Sequence, residues 1–370
     1  MSENGKVRVF WATPERDMRG NALGYSYQNS MLKKYASPYI IEDPSADMIL
    51  QMVSAEFYTH VIGKINILST MWEFVDVPES YKKALALADY VIVPSSFCRD
   101  IFKPYTKRIP YVCHNGVEPQ IYTYKQRELN NGQRFRYLWC GASNVRKGYP
   151  FLIEATKLCD KFPQMEIYLK TTMVRVTFKS MLRSIRMYWK DIIRDKDTKR
   201  FHSMLRILRR IPSPFNSEKI FVYGKNKNVV VDNRKLPIEE LVALYHSAHC
   251  FLFPSLGEGW GLTLCEAMAT GLPCVSVNHS GCADFFDEDV GYVLKTEIQE
   301  NDLENYKVRK CRMSVPLVQD FFNKMLLVPQ EYDHALQKAK RASDRIRNKF
   351  TWEQSGHRFA EILKDIAMRE

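Results

Sequence analysis

The 370-residue sequence lacks several features that would assign it to a common protein class. It has no apolar run of about eighteen residues, so we expect no membrane-spanning helix, and its amino-terminal stretch shows neither the apolar core nor the cleavage site of a secretory leader. The nine cysteines form no CxxC pair and lie mostly in apolar runs. They are typical of reduced core thiols, which excludes a disulfide framework or a zinc ribbon and predicts a cytoplasmic location.

Two catalytic loops are missing as well. The sequence has no G-x-S-x-G turn and no G-x-x-x-x-G-K-[ST] loop. These absences exclude an α/β-hydrolase and a P-loop nucleotidase. His246 and His249 lie three positions apart without a nearby carboxylate or third histidine, so a zinc site is not expected there.

The residues that are present alternate between two patterns. Short β-rich runs form a first set at 6–12, 65–71 and 90–96, and a second set follows a hydrophilic break at 124–134, at 135–142, 165–171, 219–224, 250–255 and 273–277. Helical patterns separate most of these runs, and strand–helix alternation predicts parallel sheets with right-handed crossovers. We therefore expect an α/β protein of two doubly wound domains facing a cleft, at 1–122 and 132–345, with a closing helix at 351–370 packed back on the first.

One stretch, "FPSLGEGWGLTLCEAMATGLP" (253–273), places Glu258 and Glu266 eight positions apart around a Gly-Trp-Gly turn. A strand, its exit loop and a helix are predicted here, and unpaired amides at a helix start can bind phosphate or a sugar hydroxyl; these amides belong to Gly259, Trp260, Gly261 and Leu262. Taken alone, the two glutamates have an ordinary structural explanation, in which Glu258 caps the helix and Glu266 is a solvated helix residue. Glu266 is the single charge between Glu258 and Asp284, however, and such apolar surroundings favour carboxylates that face a polyhydroxylated ligand.

This stretch resembles the signature of the retaining, family-four glycosyltransferases of the GT-B fold. Further segments resemble that family in the same order: "VPESYKKALALADYVIVPSSF", "VCHNGVEPQIY", "LWCGASNVRKGYPFLIEA" and "FTWEQSGHRFAEIL". The resemblance therefore spans nearly the whole chain. It implies two Rossmann-like domains around a cleft and transfer of a sugar from a nucleotide-diphosphate sugar with retention of configuration. It also implies a cytoplasmic enzyme without cofactor, and we expect no essential metal.

The resemblance also implies roles for individual residues. Glu266 would hold the ribose, and Glu258 would hold the donor sugar together with the amides of 259–262. Lys147 would meet the diphosphate, where a fixed cation stabilises the charge of the departing group. The family's usual arginine is Ala142 here, so the second cation would be Arg146 or come from elsewhere.

The first domain supplies two further candidates. Gly20 and Gly24 are predicted in the loop after the first strand, where a backbone could approach the diphosphate. Glu73 ends a predicted strand, and it would either contact the acceptor or anchor the face of the domain.

A basic segment accounts for most of the excess charge. Residues 175–210 contain 12 Lys and Arg against 3 Asp, a net charge of +9 out of +12 for the chain. Helical spacing places a basic stripe on one face and apolar residues on much of the other, which predicts a basic helical insertion at 175–215 in the second domain. Acceptor-binding candidates on the stripe are Arg183, Arg186 and Lys190.

Three interpretations of this insertion remain open. A basic amphipathic hairpin can lie on an anionic membrane and present a lipid-linked or membrane-proximal glycan acceptor, which is the preferred interpretation. The same charge can bind a nucleic-acid backbone during glycosylation of a modified DNA base. It can also be a solvated face alone. For the whole chain, the alternatives to a transferase are a non-catalytic sugar-binding protein and a nucleotide-sugar epimerase.

Overall fold

The structure is a computed structural model that describes residues 6–13, 23–129, 132–172, 220–303 and 307–370. The predicted insertion at 175–215, with Arg183, Arg186 and Lys190, lies outside the described residues. Within these ranges, no helix is both long and apolar enough to cross a bilayer.

The first domain is built on a six-stranded sheet in which every neighbouring pair is parallel, in the order β2-β1-β3-β4-β5-β6. Its strands are β1 (Val7–Trp11), β2 (Ile40–Glu42), β3 (Met48–Met52), β4 (Ile65–Ser69), β5 (Tyr90–Val93) and β6 (Tyr111–Val112). Its helices are α1 (Leu23–Ala36), α2 (Glu79–Leu87) and α3 (Ser96–Phe102). The central strands are almost continuously apolar because helices cover both faces of a parallel sheet.

The second domain has a seven-stranded sheet in the order β13-β12-β11-β7-β8-β10-β9. Its strands are β7 (Phe135–Ala142), β8 (Met165–Thr172), β9 (Ile220–Tyr223), β10 (Val229–Asp232), β11 (Cys250–Phe253), β12 (Cys274–Ser276) and β13 (Tyr292–Val293). The helices that follow its strands are α4 (Tyr149–Lys161), α5 (Ile238–Ser247) and α6 (Leu262–Ala269).

One predicted strand has the wrong direction. The run 219–224 is expected in the parallel set, but β9 is antiparallel to β10 at the edge of the sheet. The connection is a short turn in which Gly224 and Lys227 have φ values of 85° and 52°, and so short a link allows only an antiparallel neighbour. On the side of β8 that faces this edge of the sheet, the parallel neighbour is β10. The sequence patterns did not predict that strand.

A second hairpin was also missed. β14 (Thr296–Leu303) and β15 (Val308–Pro316) form an antiparallel pair between β13 and the closing helices. The β14 strand is mostly exposed and polar, a composition that disfavours strands in general. One face of β15 is nevertheless buried, through Cys311, Met313 and Val315.

Three helices close the chain: α7 (Val318–Gln330), α8 (Tyr332–Lys349) and α9 (Trp352–Arg369). Short 3-10 helices lie at Ser37–Tyr39, Ala55–Phe57, Lys103–Tyr105 and Ser280–Asp284. Thr351 and Gln354 form a capping box that starts α9. The apolar face of α9 then packs with β1 in one buried cluster, through Trp352, Phe359 and Ile362. The last helix therefore belongs to the core of the first domain.

The strand order of the second sheet determines where a ligand can bind. Its six parallel strands run β10-β8-β7-β11-β12-β13, the order of a Rossmann domain, and the winding reverses between β7 and β11. Ligands of such sheets bind beyond the carboxyl ends of the strands at that reversal. The loops that leave β7 and β11 there span 143–148 and 254–261.

Candidate functional site

The two loops at the reversal are bonded to each other. The main-chain amide of Leu256 donates to the carbonyl oxygen of Arg146 at 2.8 Å, and Ser255 Oγ lies 3.0 Å from the same oxygen. Gly148 has a φ of 75°, and a Cβ there would lie 2.1 Å from the carbonyl oxygen of Pro254. A glycine is therefore required for this approach. This close approach brings Arg146 and Lys147 of one loop next to Glu258 of the other.

Glu258 lies at the centre of this arrangement. Lys147 Nζ donates to both carboxylate oxygens, at 2.7 Å from Oε1 and 2.8 Å from Oε2. Arg146 Nη1 donates to Oε2 at 3.2 Å and to the carbonyl of Gly257 at 3.0 Å. Ser255 Oγ donates to Oε1 at 2.8 Å. Each oxygen thus receives two donors, which fills the lone pairs of a carboxylate.

The ionisation of Glu258 follows from these contacts. The residue is only 4% exposed, and burial by itself raises the pKa of its carboxyl group. Lys147 and Arg146 outweigh that effect and hold the pKa below its ordinary value. Glu258 is therefore an ionised carboxylate whose charge is compensated.

Glu266 lies in α6 and is also buried, at 8% exposure. Tyr245 Oη donates to Oε2 at 2.8 Å, and the phenol of Tyr122 also favours the ionised form of the carboxyl group. Burial raises the pKa of Glu266 to about 7, and the two phenols offset this only in part. This carboxyl group is therefore poised to change its ionisation near neutral pH.

The Gly-Trp-Gly turn connects the two glutamates. Gly261 has a φ of 110° and precedes the first residue of α6, Leu262. The indole of Trp260 is buried and stacks on His114 of the first domain with ring centroids 5.1 Å apart. Because the Trp260 side chain belongs to the core, a contact of this residue with a ligand would use its main chain.

The first domain contributes Glu73, in the loop after β4. Arg146 Nη2 lies 3.5 Å from Glu73 Oε1, so one guanidinium lies between Glu73 and Glu258. A Cβ on Gly257 would lie 2.3 Å from the carbonyl oxygen of Glu73, which shows how closely the two domains approach here. Four of the candidate charges, Glu73, Arg146, Lys147 and Glu258, are thereby brought together.

Gly24 differs from its predicted setting. The sequence analysis places it in a loop, whereas the structure has it in the first turn of α1. Glycine has a low helix propensity, so the sequence favours a loop at this position, but α1 already begins at Leu23. Gly20 lies outside the described residues.

Several residues of the site were missed. Ser255 and Tyr245 each bind one of the glutamates, and Ser280 Oγ accepts the main-chain amide of Glu258 at 3.0 Å. Asp284 joins the domains by accepting the amide of Ser96 at 2.8 Å and by pairing with His114 at 3.1 Å. Ser255 lies three positions before Glu258 in the same loop. The partners of Tyr245, Ser280 and Asp284 lie on other elements, so spacing along the chain gives no indication of those contacts. Within the described residues, no group of three or more His, Cys, Asp or Glu side chains could hold a metal ion.

Comparisons with known proteins concern the fold and part of the sequence. Residues 215–306 match the family model of the glycosyl transferases group 1. A sucrose synthase of Nitrosomonas europaea is 31% identical over 116 residues, which are 31% of this chain and 13% of that protein. The chain thus matches only a small part of the length of this curated relative.

Solved structures resemble nearly the whole chain. A sucrose-phosphate synthase from Thermosynechococcus elongatus has a TM-score of 0.60 at 15% identity, over 94% of this chain and 79% of that one. HepE of Anabaena, solved with UDP and glucose, has a TM-score of 0.65 at 12% identity, over 97% and 100%. A glycosyltransferase from Rickettsia africae has a TM-score of 0.56 at 13% identity, over 99% and 100%.

These likenesses establish the class of the fold. The chain has the GT-B fold of two Rossmann-like domains, as the sequence analysis predicted. The part of the chain that matches the model of the glycosyl transferases group 1 includes β9 to β14 and therefore both glutamates.

Proposed function

We propose that the protein transfers a sugar from a nucleotide-diphosphate sugar to an acceptor, with retention of configuration and without a metal ion. The observation that supports this most directly is the convergence of Lys147 and Arg146 on Glu258 at the reversal point of a Rossmann sheet. A diphosphate leaving group gains negative charge as the glycosidic bond breaks. Two cations fixed beside a helix start would stabilise that charge.

Donor binding would proceed by an exchange of partners. All four acceptor positions of Glu258 are filled by Lys147, Arg146 and Ser255. A sugar hydroxyl can bind Glu258 only if one of these donors moves. When Lys147 and Arg146 turn to the diphosphate, they release lone pairs of Glu258 to the hydroxyls of the sugar. The ionised state of Glu258 favours such hydrogen bonds, since charged acceptors bind hydroxyls more strongly than neutral ones.

Glu266 would bind the ribose. Adjacent hydroxyls of a ribose can donate to both oxygens of one carboxylate, and Glu266 lies in the helix that starts beside the proposed phosphate position. Structures of HepE contain UDP with glucose or UDP-glucose, and this supports a nucleotide sugar as the donor for the shared fold. Glu73, in contact with Arg146 from the first domain, would face the acceptor.

The acceptor would be polyanionic. The basic stripe that contains Arg183, Arg186 and Lys190 supports this, and its interleaved apolar residues favour a lipid-linked or membrane-proximal glycan. Replacing these three residues by Glu should abolish acceptor binding and spare hydrolysis of the donor. Binding that needs anionic vesicles supports the lipid; binding to DNA without vesicles, with a linear log–log salt dependence, supports the nucleic acid instead.

The decisive experiment measures products. Purified protein is incubated with a panel of nucleotide sugars and with membrane and DNA acceptors, and the nucleoside diphosphate and the glycosylated acceptor are both quantified. A retaining transferase releases them in equal amounts and preserves the anomeric configuration, as determined by NMR. Interconversion of the free nucleotide sugar would identify an epimerase, and ligand binding without turnover a sugar-binding protein.

A matched pair of variants sharpens this assay. Lys147→Ala should lower turnover by about 10²- to 10³-fold, because it removes a charge aimed at the leaving group. Lys157→Ala is the control: Lys157 also pairs with a glutamate, Glu154, but on one face of α4, and its loss should leave turnover unchanged. Equal activity of the two variants would contradict the role of Lys147.

A further inference from the structure

Asn233 has an unusual environment. It directly follows β10 and is only 3% exposed. Neither Oδ1 nor Nδ2 of its amide has a hydrogen-bond partner in the part of the chain that the structure describes. Buried polar groups are almost always hydrogen-bonded, because leaving one unpaired is costly. An amide with both of its atoms unpaired therefore needs a partner other than the residues that the structure describes, and a bound ligand can supply one.

The position of Asn233 lies along the same sheet edge as the proposed donor site. Cys140, Lys170 and Asp232 are register partners in one row across β7, β8 and β10, and Asn233 is the next residue beyond that row. Cys140 belongs to the same buried cluster as Tyr245, whose Oη donates to Glu266 at 2.8 Å, so the Glu266 carboxyl group is close to the β7 end of the row. The β10 end lies two strand spacings away, or about 10 Å.

The surroundings of Asn233 are fixed by their own bonds. Asp232 accepts Tyr168 Oη at 2.8 Å and the guanidinium of Arg234 at 2.9 Å. Lys170 Nζ donates to the carbonyl of Arg234 at 2.6 Å. These neighbours are satisfied and hold the main chain on both sides of Asn233. The unpaired amide is therefore presented on a rigid frame.

We propose that Asn233 is a specificity-determining residue that hydrogen-bonds the nucleobase of the donor. The inference rests on the proposed function, since it takes Glu266 as the ribose position at the other end of the row. An amide offers one donor and one acceptor side by side, and this matches a base edge that has an acceptor next to an N–H group. A buried polar group left unpaired by the wrong ligand gives strong discrimination against it. Asn233 thus selects among nucleoside diphosphates.

The test is calorimetric binding of UDP, GDP, ADP and CDP to the full chain. The wild-type protein should prefer one of them by tenfold or more. Asn233→Ala should weaken the preferred ligand by at least about tenfold and the others much less, so that the preference collapses. Asn233→Asp keeps the shape of the side chain but replaces the N–H donor by a second oxygen, so it should show the same loss of affinity for the preferred ligand. It replaces the alanine variant in the test if that variant does not fold.

Asn228 provides the matched control at the other end of β10. It is buried as well, but its Nδ2 donates to the carbonyls of Cys159 and Met165 at 2.7 and 2.8 Å. Asn228→Ala should lower the melting temperature and leave the preference among the four ligands unchanged. Asn233→Ala should not lower the melting temperature, because it removes a polar group that has no partner.

The outcomes separate the two proposals. If the wild-type protein binds none of the four ligands, the proposed function is overturned. If it binds them without preference, or if both Asn233 variants weaken all four equally, the inference about Asn233 is overturned while the donor site stands.

Discussion

Glu258 and Glu266 lie eight positions apart, and both are almost fully buried, yet their ionisation shifts in opposite directions. Two cations hold the pKa of Glu258 below its ordinary value against the effect of burial. Phenols surround Glu266, and burial raises its pKa to about 7. The comparison teaches that burial alone does not determine the state of a carboxyl group. What matters is whether a compensating charge reaches it, and for Glu258 that charge comes from another loop.

The largest expected effect comes from making Glu258 resemble Glu266. Lys147→Met removes the nearer cation, and breaking a buried ion pair from one side costs about 3 kcal/mol or more of unfolding free energy, because a buried carboxylate loses its compensation. Urea unfolding measures the loss. Lys147→Met combined with Glu258→Gln should regain part of the stability, since no uncompensated charge is left.

Lys157→Met is the control for that experiment, because its pair with Glu154 is partly exposed. Its loss should cost about 0.5 kcal/mol or less. If the single and double changes at Lys147 and Glu258 were equally destabilising, the compensation of charge described above would be wrong.

The next effect concerns pH. The pKa of Glu266 is raised in the folded protein from 4.5 to about 7, so the folded state binds the proton more tightly than the unfolded state. The corresponding stability is fully present below pH 4.5 and is lost as pH rises through about 7. Glu266→Gln does not titrate, so its stability relative to wild type should increase by about 3 kcal/mol between pH 5 and pH 8.5.

Unfolding curves of both proteins at several pH values give this difference. Glu258→Gln provides the opposite case, because the lowered pKa of Glu258 contributes stability above pH 4.5 that is lost as pH falls through the folded-state pKa. A flat difference for Glu266→Gln across pH 5 to 8.5 would show that a cation compensates Glu266 after all.

A smaller effect is expected from Tyr245→Phe. The change removes the hydrogen bond from Oη to Glu266 and should cost about 1 kcal/mol. Because that bond favours the ionised carboxylate, its loss should also move the pKa of Glu266 upward from about 7. Repeating the pH series in the Tyr245→Phe background detects the shift. If the stability changed over the same pH range as in the protein with Tyr245, the Tyr245 phenol would have no effect on the pKa of Glu266.

The smallest effect is expected at the surface between the domains. The guanidinium of Arg312 in β15 binds Asp76 of the first domain at 2.9 Å, close to the loop of Glu73, but the Arg312 side chain is 54% exposed. Arg312→Gln should therefore change the free energy of unfolding by about 0.5 kcal/mol or less. It should leave the pH behaviour of both glutamates unaltered. If Arg312→Gln lowered the free energy of unfolding as much as Lys147→Met does, the β14–β15 hairpin would be needed to hold the charges around Glu258 together.

The elements that position the site could be predicted from the sequence. The buried runs of β7 and β11 and the helix that starts after Gly261 follow from apolar pattern and turn residues, because such elements bury a fixed face. The direction of β9 and the β14–β15 hairpin could not be predicted, since they depend on short turns and on partly buried, charged strands whose partners are distant in the chain. Helical pattern likewise gave no indication that Gly24 lies inside α1.

The sequence by itself determined which groups are available: two glutamates around a Gly-Trp-Gly turn, an Arg-Lys pair before Gly148, and two sets of strands in one order. Periodicity and turn chemistry are local properties of the chain, so these features can be recognised without knowledge of the fold. Only the tertiary structure decided how the groups are used. Arg146 and Lys147 meet Glu258 across more than 100 residues of chain, while Glu266 accepts a hydrogen bond from the phenol of Tyr245. The charge state of a buried carboxyl group depends on what lies within a few ångströms in space, and the distance along the chain does not encode that.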